Sequence, residues 1–140
     1  MRFLSFHCEY FGYKTTKRSR SKIFEELSDD LKQNEIENTI VIFISIEEID
    51  EKNSNFLEKG IKEIINITNQ LKVKNIVLIS FAHLFGKLSS PEFGLDSLRK
   101  LEDLLKQKGF TVLRPPFGWF NELELKAKGH PLSRISRKIK

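Results

Sequence analysis

The sequence lacks the residues and segments that several large classes of protein depend on. Its single cysteine, Cys8, excludes an intrachain disulfide, and a chain without disulfides suits a reducing compartment. No apolar run approaches the ~20 residues that a membrane-spanning helix needs. The first residues also lack the apolar core and small-residue cleavage site of a signal peptide. These absences predict a cytoplasmic protein with no membrane partner.

The usual signatures of metal and cofactor sites are missing as well. The sequence contains no Gly-rich phosphate loop, no nucleophile elbow and no readable Cys/His pairing. The three histidines, His7, His83 and His130, are far apart, and none stands beside a second ligand type at metal-binding spacing. We therefore expect no metal and no cofactor.

The composition that remains is that of one basic globular domain. A length of 140 residues, with 39% hydrophobic and 31% charged residues, is enough to bury a core within a single domain, residues 1–140. The formal net charge of +5 favours a polyanionic partner. Residues 101–140 hold six Lys, three Arg and four acids, so the whole excess of +5 can be assigned to this stretch.

Hydrophobic periodicity predicts an α/β domain in which helices alternate with apolar strands. The predicted strands are residues 3–10, 39–46, 75–81, 110–113 and 119–127. The predicted helices run through Ile23, Phe24, Leu27 and Leu31, through residues 56–71, and from an N-cap at Ser90-Pro91 to Gly109. The remaining segments are expected to be a basic loop at residues 14–22, an acidic loop at 47–55, and a short helix or tail at 133–140.

Three features stand out as candidates for chemistry. His83 follows a buried strand, and ligand sites in α/β sheets gather beyond the C-terminal ends of strands; the alternative is a histidine satisfied by a nearby carbonyl. Asn121 shares a strand face with Trp, Leu and Ala, so it needs a partner or a ligand, unless a strand edge turns it to solvent. The turn at residues 115–118 is rigid and can either hold backbone groups around a small ligand or simply connect two strands.

Several short motifs recur in a familiar order along almost the whole chain. They are Tyr10, Phe43-Ile44-Ser45-Ile46, Asp50-Glu51-Lys52-Asn53, Phe81-Ala82-His83-Leu84, Pro116-Phe117-Gly118-Trp119 and Lys128-Gly129-His130-Pro131-Leu132. In order and spacing they resemble the N-terminal editing domain of archaeal threonyl-tRNA synthetases, a relative of the D-aminoacyl-tRNA deacylases. The resemblance implies a single domain of D-aminoacyl-tRNA deacylase-like fold, with a mixed sheet packed by amphipathic helices, that forms a homodimer.

The same resemblance implies proofreading by hydrolysis. The expected substrate is mischarged Ser-tRNA(Thr), whose ester is attacked by water with help from the terminal ribose 2′-hydroxyl of the tRNA and from backbone groups. Serine and threonine differ by one methyl group, worth about 1–3 kcal/mol of discrimination in a binding pocket, so a second hydrolytic site is useful. The implied partners are the acceptor end of tRNA(Thr) and the catalytic part of threonyl-tRNA synthetase.

The resemblance also implies a set of site residues. His83 is expected to contact the terminal adenosine or orient water, and Asn121 to hydrogen-bond substrate or water, as the catalytic pair. The substrate-binding residues implied are Ile46, Phe81, Ala82, Pro116, Phe117, Gly118, Trp119 and Phe120, and the RNA-binding residues are Lys128, His130 and Arg134.

The chain departs from the family pattern at three of these positions. The family usually carries Tyr-Lys where this chain has Phe120 and Asn121, and Glu where it has Arg134. Phe120 has no phenolic hydroxyl, and Asn121 has no positive charge with which to stabilise an oxyanion. These departures support an alternative function, a catalytically degenerate module for tRNA binding or dimerisation. A further alternative is a D-aminoacyl-tRNA deacylase of the related class.

Overall fold

The computed structural model describes residues 1–140, and its backbone is organised around one mixed sheet. The strands are β1 (Arg2–Arg18), β2 (Gln33–Ser45), β3 (Asn75–Ser80), β4 (Thr111–Leu113), β5 (Trp119–Ala127) and β6 (Arg134–Lys138). The α-helices are α1 (Asp29–Lys32), α2 (Phe56–Leu71) and α3 (Pro91–Gln107), and a short 3-10 helix covers Glu48–Lys52. The predicted single α/β domain is confirmed. No helix is long and apolar enough to cross a lipid bilayer.

The sheet combines a parallel half with an antiparallel half. Its strand order is β4-β3-β2-β1-β5, and β6 also pairs with β1. β2, β3 and β4 are parallel neighbours, because α2 and α3 provide the long crossovers that parallel pairing requires. β1 pairs antiparallel with β2, β5 and β6. β5 and β6 lie end to end along one edge of β1, beside Cys8–Arg18 and Arg2–Phe6 respectively.

The helices bury one face of the sheet. α2 has its apolar residues three and four apart, the spacing of an amphipathic helix. Together with α3 it packs on β2 and β3, in a core of 18 buried residues that includes Ile40, Ile42, Ile64, Leu78 and Leu101. α3 begins where the sequence predicted, since the Ser90 hydroxyl accepts a hydrogen bond from the Phe93 N–H and Pro91 occupies the first turn.

The other face of the sheet is covered by strands that curl over it, not by helices. Its core contains only strand residues: Cys8, Phe11, Tyr13, Val41, Phe43, Val77 and Ile79. β1 is irregular between Cys8 and Tyr10 and again between Thr15 and Arg18, and such bulges bend a strand and increase its twist. β1 therefore curls so that its C-terminal half, with β5, lies over residues of β2 and β3.

Three local expectations were wrong. β1 runs to Arg18, so much of the expected basic loop at residues 14–22 is strand, because β5 supplies a hydrogen-bonding partner that local sequence does not reveal. The expected helix through Ile23 to Leu31 is absent except for the short α1; Ile23, Phe24 and Leu27 lie in irregular chain instead. Residues 134–138 form β6 rather than a helix or tail, because they complete the edge of β1.

Candidate functional site

A cavity of about 490 Å³ opens at the C-terminal ends of β2 and β3. Its size falls within the range of small-molecule sites. The lining includes every residue that the sequence nominated as catalytic or substrate-binding: Ile46, Phe81, Ala82, His83, Pro116, Phe117, Gly118, Trp119, Phe120 and Asn121. The structure thus brings together residues from three distant stretches of the chain.

Curvature of the sheet is what closes this cavity. Ser45 of β2 pairs with Arg2 of β1, whereas Asn121 of β5 pairs with Thr15, thirteen positions further along β1. On a straight strand these positions would be about 43 Å apart. Because Ser45 and Asn121 line the same cavity, the bend of β1 must carry β5 back toward the ends of β2 and β3.

The C-terminal end of β2 and the residue after it are hydrogen-bonded to the loop that follows β3, where both segments line the cavity. The Phe81 N–H donates to the Ile44 carbonyl (2.9 Å), and the Ser89 N–H donates to the Ile46 carbonyl (3.0 Å). The buried Ser45 hydroxyl donates to the Phe81 carbonyl. Since the loops after β2 and β3 begin at the same edge of parallel strands, these bonds fix the backbone around Ile46 and Phe81.

His83 lines the cavity, and its side chain forms no hydrogen bond within the protein. Its ring lies edge-on to the Phe81 ring, with centroids 5.3 Å apart, and the side chain is exposed. Unlike the other two histidines, it has no hydrogen bond to another protein group. Of the two alternatives for this residue, the structure excludes the histidine satisfied by a carbonyl and leaves both ring nitrogens available to a ligand or water.

The turn at residues 115–118 is held against the segment that follows β1. The Ser19 N–H and hydroxyl both donate to the Gly118 carbonyl at 2.9 Å. Gly118 has φ +85°, and a Cβ there would lie 2.7 Å from the Ile23 carbonyl oxygen and closer still to Phe24. Glycine is required here both for the backbone conformation and for the close approach of the two chains.

A nearly buried ion pair locks the same turn in place. The Glu25 carboxylate accepts two hydrogen bonds from the Arg114 guanidinium (2.5 and 2.8 Å) and one from the Phe117 N–H (2.9 Å). The Arg114 Nε also donates to Glu102 (3.0 Å). The Trp119 indole N–H donates to the Glu25 carbonyl (2.7 Å). Glu25 therefore holds the turn through its side chain and its backbone at once.

The charge of Glu25 is stabilised by these contacts. Burial alone would raise the pKa of its carboxyl group, but the hydrogen bonds from Arg114 and the Phe117 N–H, with the charges of Arg114 and Arg99, outweigh burial. The net result is a pKa below the usual value. Glu25 was not identified from the sequence, where its only local signal is that it is the first acid after a long basic stretch.

Asn121 is oriented by its cross-strand neighbour. The Thr15 hydroxyl donates to the Asn121 Oδ1 (2.7 Å), and the Asn121 Nδ2 donates to the Trp119 carbonyl (3.3 Å). One amide hydrogen of Asn121 is left for the cavity, because each carboxamide nitrogen carries two. The polar residue on this apolar face thus has both a partner and a place in the site. Thr15 is a second residue that was not identified from the sequence.

The three nominated RNA-binding residues lie outside this cavity. Lys128 and His130 belong to the connection between β5 and β6, and Arg134 is the first residue of β6. This connection is bound to His7: the Lys128 N–H donates to the His7 carbonyl (2.8 Å), and the His7 N–H donates to the Ser133 carbonyl (2.9 Å). The Arg134 guanidinium lies 5.7 Å from the centroid of the Phe6 ring. The structure therefore separates this group from the catalytic candidates.

His130 is part of a hydrogen-bonded chain rather than a free side chain. The Leu132 N–H donates to the His130 Nδ1 (3.2 Å), which places the His130 proton on Nε2, where it is donated to the His7 Nδ1 (2.9 Å). The His7 Nε2 then donates to the Asn38 Oδ1 (3.3 Å). Burial lowers the pKa of His7, the charges of Lys128 and His130 act in the same direction, and the Asn38 hydrogen bond opposes them.

Comparison with known proteins finds a family that matches nearly the whole chain. A family model for the archaea-specific editing domain of threonyl-tRNA synthetase matches residues 1–139. The threonine–tRNA ligases of Methanosphaera stadtmanae and Methanocaldococcus jannaschii are each 41% identical to the chain over 140 residues, and that of Thermococcus kodakarensis is 39% identical. Each alignment covers 99% of this chain but 22% of the ligase, so the chain spans about a fifth of the length of these relatives.

A solved structure shares the fold. The c-Myc DNA Unwinding Element Binding Protein superposes with a TM-score of 0.68, covering 100% of this chain and 99% of its own, at 12% sequence identity. At that identity the likeness concerns the fold alone. The predicted D-aminoacyl-tRNA deacylase-like fold is confirmed.

Proposed function

The chain belongs to the family of archaea-specific editing domains of threonyl-tRNA synthetase, and we propose that it hydrolyses the ester bond of mischarged Ser-tRNA(Thr). The observation that carries the proposal is the assembly of the cavity. Ten residues nominated from three separated motifs line one concave site at the strand ends. This is the location at which open α/β sheets usually bind ligands.

The chemistry of the lining favours direct attack by water. His83 is the only ionisable side chain among the lining residues. The single cysteine lies in the sheet core, and burial raises the pKa of its thiol to about 11, so it is a poor nucleophile. With no carboxylate or lysine in the cavity, activation of water is left to the 2′-hydroxyl of the terminal ribose, with His83 orienting the water or the adenosine.

Stabilisation of the developing oxyanion is assigned to neutral donors. The Asn121 amide has one hydrogen directed at no protein acceptor, and Thr15 fixes the orientation of this amide. Preorganised donors of this type typically contribute about 10²–10³ in rate. The family's lysine would add a charge at this position, so we expect a slower reaction here than in relatives that carry it.

Selection of serine over threonine is assigned to the rigid turn. Pro115 and Pro116 are buried, and Phe117 is held by Glu25 through both its N–H and its carbonyl. A wall fixed in this way cannot easily yield to one more methyl group, and overpacking typically costs about 1–3 kcal/mol. This amounts to a preference of about 10- to 200-fold for the smaller substrate.

The three departures from the family pattern favour a second candidate function. Phe120 and Asn121 replace a Tyr-Lys pair, and Arg134 replaces an acid. A domain that binds tRNA(Thr) or dimerises without hydrolysis would tolerate all three changes. Under either function the predicted partners are the tRNA(Thr) acceptor end, a second copy of the chain, and a synthetase catalytic part.

The deciding experiment is a parallel deacylation assay. The purified chain is incubated with Ser-tRNA(Thr) and Thr-tRNA(Thr), and ester loss is compared with a control lacking protein. We expect release of serine with threonine spared. Retained tRNA binding without release would select the degenerate module, and preferential hydrolysis of D-Ser over L-Ser on the same tRNA would select a D-aminoacyl-tRNA deacylase.

Substitution of Asn121 then separates side-chain chemistry from RNA-assisted chemistry. Asn121→Ala should lower the rate of serine release more than tenfold if the amide stabilises the oxyanion. The matched control is Asn66→Ala, an exposed asparagine on α2, which should leave the rate unchanged. No loss in Asn121→Ala would assign the reaction to backbone groups and the 2′-hydroxyl. A tRNA ending in 2′-deoxyadenosine tests the hydroxyl directly.

A further inference from the structure

We propose that the segment Lys17–Lys22 is the surface that holds the phosphate backbone of the RNA whose 3′ end enters the cavity. We call its four cations, Lys17, Arg18, Arg20 and Lys22, the basic ribbon. The inference rests on the proposed function for the identity of the RNA, and it assigns the docking surface to a different part of the chain from the residues that the sequence nominated.

The first observation is the distribution of unpaired positive charge. All four ribbon cations are exposed, and none forms an ion pair with an acid. By contrast, four of the nine cations in residues 101–140, where the sequence places the whole formal excess, are paired with acids. These four are Lys106, Arg114, Lys126 and Arg137. Much of the positive charge in residues 101–140 is therefore neutralised by neighbouring acids. The positive charge of the basic ribbon is not neutralised in this way.

The second observation is that the ribbon is continuous with the cavity. Ser19 and Ser21 alternate with the cations, are half-buried and line the cavity, while Arg20 and Lys22 are exposed. The same short segment therefore contributes serines to the cavity lining and presents cations to solvent.

The third observation is that the ribbon is anchored before any ligand binds. The Arg18 guanidinium lies 4.0 Å from the centroid of the Phe24 ring, and Phe24 packs edge-on against Trp119 at 6.3 Å. Ser19 holds Gly118 through two hydrogen bonds. A preordered backbone lowers the entropy cost of binding, so the cations are available at low cost.

The chemistry selects RNA over other anionic partners. Phosphate contacts from Lys and Arg position a nucleic acid without reading its sequence. The ribbon is a short line of cations that ends at a cavity sized for a small molecule. It is not the amphipathic helix with an apolar face that membrane surfaces favour. A strand whose terminal nucleotide occupies the cavity would bring its preceding phosphates past this line.

The test compares two triple variants with equal loss of charge. The ribbon variant is Lys17→Gln, Arg20→Gln and Lys22→Gln; Arg18 is kept because it packs on Phe24. The control variant is Lys62→Gln, Lys108→Gln and Lys140→Gln, three exposed lysines that form no ion pair. The probe is an RNA minihelix with a single-stranded 3′ CCA end and no amino acid, and its Kd is measured at several salt concentrations.

We expect the two variants to behave differently. If all three ribbon side chains contact phosphates of a single strand, the slope of log K against log[salt] should fall in magnitude by about 2, and the affinity at 0.1 M salt should drop by up to about 100-fold. The control variant should change the affinity by less than about threefold. Equal losses of affinity in both variants would show that only net charge matters. That result would overturn the proposal that the basic ribbon holds the RNA. Wild-type binding to anionic vesicles as tight as to the minihelix would overturn the RNA assignment.

A second readout separates this inference from the proposed function. Serine release is measured under single-turnover conditions with saturating protein. If both proposals hold, the ribbon variant keeps the wild-type rate at saturation but needs a higher concentration to reach it. If the wild-type protein hydrolyses the ester and the ribbon and control variants show the same concentration dependence, the basic ribbon does not bind the RNA, whereas the proposed hydrolase function stands. If RNA binding depends on the basic ribbon but no protein releases serine, the proposed hydrolase function is rejected and the role of the basic ribbon stands.

Discussion

Substitution of Glu25 by glutamine tests whether the cavity depends on the ion pair that the sequence did not predict. The change keeps the shape of the side chain but removes the charge facing Arg114, whose side chain is only 8% exposed. Removal of one partner of a buried pair costs about 3–5 kcal/mol. Because Glu102 still accepts from the Arg114 Nε, we expect a loss at or just below the lower limit of this range, about 2–3 kcal/mol.

This loss is measurable as a shift in thermal unfolding. For a chain of 140 residues, 1 kcal/mol corresponds to about 3–5 °C, so Glu25→Gln should lower Tm by about 6–15 °C. The matched control is Glu26→Gln, an adjacent, exposed acid with no ion pair, which should change Tm by no more than about 2 °C. Circular dichroism monitors both transitions. Equal Tm values for the two variants would show that the ion pair between Glu25 and Arg114 does not stabilise the fold.

The pH dependence provides an independent check of the same ion pair. The folded-state pKa of Glu25 is lowered, so its contribution to stability is present above the unfolded-state pKa, about 4.3, and is lost as the pH falls through the lower folded value. The difference in Tm between the wild type and Glu25→Gln should therefore be constant above about pH 5.5 and shrink in acid. A difference that grows on acidification would contradict the assignment.

Three further substitutions test other parts of the account. Thr15→Val should lower the serine-release rate about 5- to 10-fold by leaving the cavity amide without its orienting donor, whereas Thr16→Val, whose hydroxyl contacts only the Phe120 carbonyl, should change it less than twofold. Gly118→Ala should lower Tm more than Gly109→Ala by at least about 3 °C, because both have positive φ but only Gly118 is crowded by backbone. His7→Gln should flatten the loss of stability below about pH 6.5, since the lowered pKa of His7 makes its protonation oppose folding.

Each of these has a result that would contradict it. Equal rates in Thr15→Val and Thr16→Val would mean that the amide needs no orienting hydroxyl. Equal Tm values for the two glycine variants would mean that the turn yields to a methyl group. Parallel curves of Tm against pH for the wild type and His7→Gln would assign the acid sensitivity to other groups.

The parts of the fold that local pattern determines were predictable from the sequence. α2 occupies the residues expected from its three- and four-residue apolar spacing, and β5 matches the alternating segment at residues 119–127. The buried strand β3 was also located, with its end one residue earlier than expected. In these elements, side-chain burial and backbone period agree, so a short window of sequence contains the information.

The parts that depend on distant partners were not predictable in this way. Ile23 and Phe24 have helical spacing with Leu27, yet they lie in irregular chain because Gly118 and Trp119 pack against them. The last strand forms only because β1 offers an edge. In both cases tertiary contacts override a weak local preference.

The candidate site likewise contains residues that could be located from the sequence and residues that depend on distant contacts. The rule that ligands gather at strand ends located His83, and the resemblance located the turn at residues 115–118. Thr15 and Glu25 were missed because their roles depend on the register of β1 against β5 and on a contact across 89 positions of sequence. The basic ribbon was visible as a charge run, but only its place beside the cavity gives it a role.

The most direct test of the central claim is the ratio of the rates at which the purified chain releases serine and threonine from the same tRNA(Thr). The account predicts hydrolysis of Ser-tRNA(Thr) well above the spontaneous rate and at least about tenfold faster than hydrolysis of Thr-tRNA(Thr). A chain that binds the tRNA but leaves the seryl ester at its spontaneous rate would contradict it.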